Sequence, residues 1–254
     1  MKPENSNNFE EIELSIQDIK RGLNFPKKMN GCLAEEIGVH IGDGSMYSYI
    51  NNFGTKGFEY SITSNSNEKE YVEGHLVPLM RKLYGLETKP KFKNDNTLQL
   101  RYGSKSLVKF KINLGLPLGK KVEIKIPNCI ISSDFVLDFL RGVMDTDGTL
   151  CFMKRNRKIH YYPRLAIRIK SKTLILQIDE ILKEYGFTTT LSLDEKLIAS
   201  NGVECTTSRV VMNGMNNLKR WEQLIGFSNP KNIKKLEEWK EKGFIEKINA
   251  GGEI

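Results

Sequence analysis

Along residues 32–42 and 134–146, apolar positions recur at helical spacing, with small residues gathered on one face. Each stretch is followed by two alternating segments, 45–50 with 57–63 and 149–154 with 162–169, which read as hairpin strands. Asn51, Asn52 and Gly54 supply the first turn. Residues 67–84 and 171–185 return to helical periodicity and stop at Gly85 and Gly186, suited to the left-handed position after a helix. Second hairpins follow, 89–93 with 97–103 and 187–193 with 204–211, then third helices at 104–114 and 214–226. A last helix, rich in Lys and Glu, runs from Asn229 to Lys242 behind an Asn-Pro start. The order α-β-β-α-β-β-α thus occurs twice, which predicts an α+β fold with helices on one face of antiparallel sheets.

The repeat extends to the letters. Ile37-Gly-Val-His-Ile-Gly-Asp-Gly44 matches Arg141-Gly-Val-Met-Asp-Thr-Asp-Gly148, and Asp43 and Asp147 stand 104 residues apart. Tyr60-Ser-Ile-Thr-Ser-Asn-Ser66 pairs with Leu165-Ala-Ile-Arg-Ile-Lys-Ser171, and Leu114-Gly-Leu116 with Ile225-Gly-Phe227. The expected division is a leader over 1–30, a first half over 31–128 and a second half, with the C-terminal helix, over 129–254.

Gly38 and Gly42 share one helix face, as do Gly142 and Thr146. Small residues four apart let helix backbones approach closely, so these two helices are expected to pack on each other. Asp43-Gly44 and Asp147-Gly148 follow, with the glycines free to take the left-handed cap. A carboxylate at the negative end of a helix dipole costs about 0.3–1 kcal/mol, and two facing carboxylates add repulsion. A divalent cation relieves both, and oxygen ligands with few imidazoles suit Mg²⁺. Asp145, matched by Ile41, reads as a local hydrogen-bonding residue.

Composition narrows the class. The 254 residues are 39% hydrophobic and 28% charged, with a net charge of +8. That is a foldable chain with a basic excess that suits a polyanion. Cys32, Cys129, Cys151 and Cys205 form no Cys-x-x-Cys pair, and read as reduced thiols of a cytosolic-type protein. The polar Met1–Asn8 stretch lacks a signal-peptide core, and no apolar run is long enough to cross a membrane. The expected location is cytoplasm, nucleoid or an organellar matrix. Three scattered histidines argue against zinc and against a Ser-His-Asp triad, and no phosphate-cradling Gly-rich motif occurs, so no nucleotide cofactor is expected.

The paired segments Gly38–Gly44 and Leu140–Gly148 resemble the LAGLIDADG motif of homing endonucleases, the second closely. The repeat and the Ile225–Lys231 segment extend the resemblance over nearly the whole chain. It implies a monomer of two pseudo-symmetric αββαββα halves, each presenting a curved four-stranded antiparallel sheet to DNA, joined at the motif helices. It implies Mg²⁺ (Mn²⁺ or Ca²⁺ as substitutes) on Asp43 and Asp147, with the carbonyls of Gly42 and Thr146 as further ligands. At the end of each half's second strand it places Ser64 and Asn65, and Ile169 and Lys170. Lys170 is the expected charge stabiliser. Asn65 stands where lysine is more usual, which leaves slow cleavage of one strand or a basic group supplied from elsewhere.

A two-stranded β-ribbon fits the major groove. The candidate DNA contacts are therefore Tyr47, Tyr49, Asn51, Asn52, Lys56, Lys91, Lys93, Asn96, Gln99 and Arg101 in the first half. In the second they are Lys154, Arg155, Arg157, Lys158, Arg164 and Arg168. Lys120, Lys121 and Lys125 lie between the halves, placed to touch phosphates. The implied activity is Mg²⁺-dependent, double-strand cleavage at a long duplex site of about 20 base pairs, roughly two helical turns. The alternative is a non-cleaving binder on the same scaffold, an RNA maturase or transcription regulator. Met1-Lys2 and Glu253-Ile254 lack the Cys or Ser and the His-Asn of a splicing intein, so a free-standing or intron-encoded protein is expected.

Overall fold

The computed structural model describes residues 9–93, 95–198 and 202–246. The chain ends discussed above lie outside these residues. The elements run α1 (Ile16–Lys20), α2 (Gly31–Gly42), β1 (Gly44–Ile50), β2 (Lys56–Asn65), α3 (Lys69–Tyr71), α4 (Val77–Tyr84), β3 (Lys91–Phe92), β4 (Thr97–Gly103) and α5 (Lys105–Asn113). Then come α6 (Asn128–Ile131), α7 (Val136–Asp147), β5 (Gly148–Met153), β6 (Tyr162–Ile169), α8 (Lys172–Glu184), β7 (Thr189–Ile198), β8 (Glu204–Asn213), α9 (Met215–Leu224) and α10 (Pro230–Lys242). Two four-stranded antiparallel sheets result, ordered β1-β2-β4-β3 and β5-β6-β8-β7. The α+β fold predicted from the alternating segments is the one observed.

Two compact units divide at Thr146/Asp147, later than the 128/129 boundary of the repeat. The reason is the glycine face. A Cβ on Gly38 would lie 2.2 Å from the Phe139 carbonyl oxygen, and one on Gly142 would lie 2.1 Å from that of Glu35. The two helix backbones touch, so α7 is packed into the first unit. Arg141 of α7 ties the pair further, 2.9 Å from Glu35 of α2, and also bonds Asp138 of its own helix at 2.6 Å.

In the first unit, Met46, Tyr60, Ile62, Leu98, Leu100 and Tyr102 alternate into a core closed by α2, α4 and α5. Glu36 and Lys111 are wholly buried there, 2.5 and 2.7 Å apart, with Tyr60 and Tyr84 also donating to Glu36 at 2.7 and 3.0 Å. The expected leader is part of this core. Phe25 stacks on Phe110 at 4.5 Å, and Phe9 meets the same ring at 5.7 Å. Asp18 accepts from Ser15, Arg21 and Ser106. The helix expected over 67–84 is interrupted by a π-helical turn, Val72–Leu76, which contains Gly74.

The second unit buries Leu150, Leu165, Ile167, Val210 and Met212 beneath α8 and α9, around Trp221. The Trp221 indole N–H donates to the Gly226 carbonyl at 2.8 Å.

Candidate active site and nucleic-acid interface

Helix α2 begins at Asn30, whose side chain accepts from Leu33 N–H at 3.0 Å, and ends at Asp43. Asp43 caps the helix with φ −90°, and its N–H reaches Val39 O. Gly44 then opens β1 opposite Ile62, and Gly148 opens β5 opposite Ile167. This corrects the expected left-handed caps, because neither glycine has positive φ. Gly44 is needed for space instead: a Cβ there would lie 2.5 Å from His40 Cα.

The tip of α2 is bound to β2. Thr63 N–H donates to the Asp43 carbonyl at 3.0 Å, and Ser64 Oγ donates to Asp43 Oδ2 at 2.9 Å. Asn65, the residue chosen from sequence, turns elsewhere. Its side-chain oxygen caps the next turn by accepting from Asn67 N–H at 2.9 Å. Strand alternation explains the exchange, since neighbours on β2 point to opposite faces.

Lys121 comes back to the same tip from the segment after α5. Its ammonium donates to the carbonyls of His40, Ile41 and Gly42 at 2.9, 2.7 and 2.8 Å. A cation at a helix C-terminus opposes the negative dipole end. Sequence reasoning placed Lys121 between the halves but had no signal for this long-range contact. Behind it, His40 is fully buried, and burial followed by the charges of Lys111 and Lys121 holds its imidazole well below the ordinary pKa of 6.5.

In the matching segment, Asp147 is the last residue of α7. The Thr146 hydroxyl bonds back to the carbonyls of Gly142 and Val143 at 2.9 and 3.1 Å. Lys170 is exposed at the end of β6, beside Ser171, which caps α8.

Each sheet has a second face, and it is polar. On the first, Ser45, Tyr47, Glu59, Ser61, Thr63, Gln99 and Arg101 share the side opposite the core. Tyr47 Oη and Arg101 both bond Glu59, with Arg101 Nε and Nη2 at 2.7 and 2.5 Å from its two oxygens. Burial alone would raise the Glu59 pKa, but the hydrogen bonds from Arg101 and Tyr47 outweigh it and lower it. Gln99 is buried and donates to Thr63 at 3.2 Å. Lys91 pairs with Gln99 in register and is exposed, as is Lys93. On the second sheet, Arg164 donates to Asn213 at 2.9 Å, and Arg168 to Glu195 and Thr207 at 2.9 and 3.0 Å.

Two of the candidate contacts also have partners within the protein. Lys56 alternates onto the other face, where its ammonium lies 5.3 Å from the Phe58 ring. The Asn51 side chain builds the turn, accepting from Phe53 and Thr55 N–H at 3.0 and 2.9 Å. Lys154, Arg155, Arg157 and Lys158 form an exposed basic turn as expected, with Arg155 over Tyr162 at 4.4 Å and Arg157 over Tyr161 at 4.8 Å.

Residues 134–226 match the model of the LAGLIDADG-like domain. By fold, the chain is similar to I-DmoI in complex with DNA and Ca, at TM-score 0.57, 20% identity, 82% of this chain and 97% of that one. It is similar to the I-LtrWI LAGLIDADG homing endonuclease bound to target DNA, at TM-score 0.56, 13% identity, 84% of this chain and 89% of that one. Among curated proteins, it is 27% identical over 205 residues to the replication factor C small subunit of Methanocaldococcus jannaschii. That match takes in 80% of this chain but spans about a tenth (10%) of the relative's length.

Proposed function

We propose that this chain, which carries a LAGLIDADG-like domain in its second half and the fold of the single-chain, two-domain LAGLIDADG homing endonucleases, is a site-specific endonuclease acting on double-stranded DNA. The observation that carries this reading is the duplicated helix end: Asp43 after α2 and Asp147 closing α7, each leading into a sheet with a polar outer face.

The donors at these ends fit a hard divalent cation. Asp43 with the Gly42 carbonyl at the first end, and Asp147 with the Thr146 carbonyl at the second, would each hold Mg²⁺, with Mn²⁺ or Ca²⁺ as substitutes. Gly42 O accepts from Lys121 at 2.8 Å and keeps a second lone pair. Among the described residues, no three His, Cys, Asp or Glu side chains gather to cage an ion. That suits Mg²⁺, which takes one or two carboxylates and completes its shell with water and substrate phosphate. The chemistry supplied when such an ion is bound is activation of water and neutralisation of charge at the phosphate.

The chain's own groups do the rest. Ser64 fixes the rotamer of Asp43 through Oδ2. Lys121 holds the α2 tip, with its three N–H donors on the carbonyls of His40, Ile41 and Gly42. Lys170, exposed at the end of β6, would stabilise charge on the phosphate of the other strand. Lys91, Lys93, Arg101, Arg164, Arg168 and the turn at 154–158 would follow the duplex backbone and base edges, with Tyr47 and Tyr49 beside them. The protein acts as a monomer on a long duplex site, because one chain carries both aspartates.

Incubation with Mg²⁺ and a randomised duplex library tests this. The expected result is cutting at one family of sites, abolished by Asp43→Asn and by Asp147→Asn. Tight duplex binding without cleavage would instead establish a non-cleaving regulator on this scaffold.

A further inference from the structure

A carboxylate is a poor thing to place on a surface meant for a polyanion, yet Glu59 sits in the middle of the first sheet's polar face. Its side chain is 5% exposed and touches Tyr47 and Arg101. It is therefore neither a solubilising charge nor a core residue. What it does is fix a guanidinium. Glu59 takes the Nε–Nη2 edge of Arg101 with one oxygen on each nitrogen, at 2.7 and 2.5 Å. Tyr47 Oη donates to the same Oε1 that accepts from Nε, so the carboxylate cannot rotate freely. The Arg101 side chain is nevertheless 47% exposed.

A guanidinium has five N–H donors in one plane. With two spent on Glu59, the outer Nη1–Nη2 edge keeps a parallel donor pair. That pair matches two adjacent acceptors, and guanine alone offers two, O6 and N7, in the major groove; adenine pairs an acceptor with a donor there. A flexible lysine or an unbraced arginine would find phosphates as readily as bases. A braced fork loses little freedom on binding and is selective for planar acceptor pairs.

Resting on the reading of the protein as a duplex-DNA endonuclease, we infer that Arg101, held by Glu59 and Tyr47, is a specificity-determining residue that reads one guanine in the first half of the target site. The second sheet does not repeat the device. There Glu195 is shared between two arginines, 2.9 Å from Arg168 Nη1 through one oxygen and 3.0 Å from Arg209 Nη2 through the other.

The test is selection of bound duplexes from a randomised library by the full chain in EDTA, so that the strands stay intact. Wild type is expected to fix a guanine at one position. Arg101→Gln should lose that preference, about tenfold or more, and leave the other positions unchanged. Glu59→Gln, which keeps the shape but removes the charge, should bind DNA as well or better while relaxing the same position; Tyr47→Phe should do so more weakly. A role confined to folding would not move one base preference alone. If Arg101→Gln weakens every sequence equally and lowers the salt slope by about one, Arg101 is a phosphate contact and the inference falls. If Arg101→Gln relaxes the position and Glu59→Gln does not, the brace falls. If wild type recovers no duplex at all, the endonuclease reading itself fails, a different result from both.

Discussion

Ser64 Oγ stands 2.9 Å from Asp43 Oδ2 and donates to it. The bond joins the end of β2 to the end of α2, and it gives the acidic helix tip one preferred carboxylate orientation. Ser64→Ala should slow cleavage of one strand about tenfold, in keeping with loss of a hydrogen bond to a charged group. Asn65→Ala should leave that rate within about twofold and cost about 1 kcal/mol of stability as a lost cap. Single-turnover cleavage of end-labelled duplex, strand by strand, separates the two.

The glycine contact between α2 and α7 admits no side chain. Gly38→Ala and Gly142→Ala should each destabilise by about 3 kcal/mol or more, at or above the usual cost of overpacking, because the clash is with main-chain oxygen. Gly103→Ala, where a Cβ meets nothing within 4 Å, is the control expected to be nearly neutral. Urea unfolding midpoints measure the difference.

Glu36 and Lys111 are both fully buried. Burial lowers the Lys111 pKa, and the Glu36 carboxylate opposes that by holding the proton on the ammonium. Removing one partner leaves the other unpaired, so Glu36→Gln or Lys111→Met should cost about 3–5 kcal/mol. The pair Glu36→Leu with Lys111→Met should cost less than the sum of its single changes. A double-mutant cycle by chemical denaturation reads the coupling.

Asp18 ties the N-terminal segment to α5. Burial would raise its pKa, but hydrogen bonds from Ser15, Ser104, Arg21 and Ser106 outweigh that and lower it below the ordinary 3.8. The folded state therefore binds this proton less readily than the unfolded one. Its stabilisation is full above pH 3.8 and fades as pH falls through the lower, folded value. Asp18→Asn should cost about 1–3 kcal/mol at neutral pH. Its disadvantage against wild type should shrink in acid, as urea titrations near pH 7 and below 3.8 would show.

Most of the architecture was legible because it depends on local period. The hairpins, the motif helices and their small-residue faces follow from spacings of two and of three to four, and the repeat doubled each signal. The left-handed reading of Gly44 and Gly148 failed because a close approach to His40, not a turn, sets the need at Gly44. At the end of β2 one step of strand alternation separates Ser64, which meets Asp43, from Asn65, which caps the next turn, and residue type alone does not tell the two apart. Lys121 and Glu59 were beyond reach: each acts on a partner about 40 to 80 residues away, and no local pattern announces such pairs. Phe9 and Phe25 belong to the same class, aromatic residues in a presumed leader that complete the Phe110 cluster.

Because α2 and α7 meet main chain to main chain at Gly38 and Gly142, the point where they cross has no side chain to trim, enlarge or exchange. The axial slide of one rod past the other is set by peptide geometry, which does not vary with amino-acid identity. Drift in the sequence can recolour the sheets that face outward and alter what they bind, while this ruler keeps its graduation.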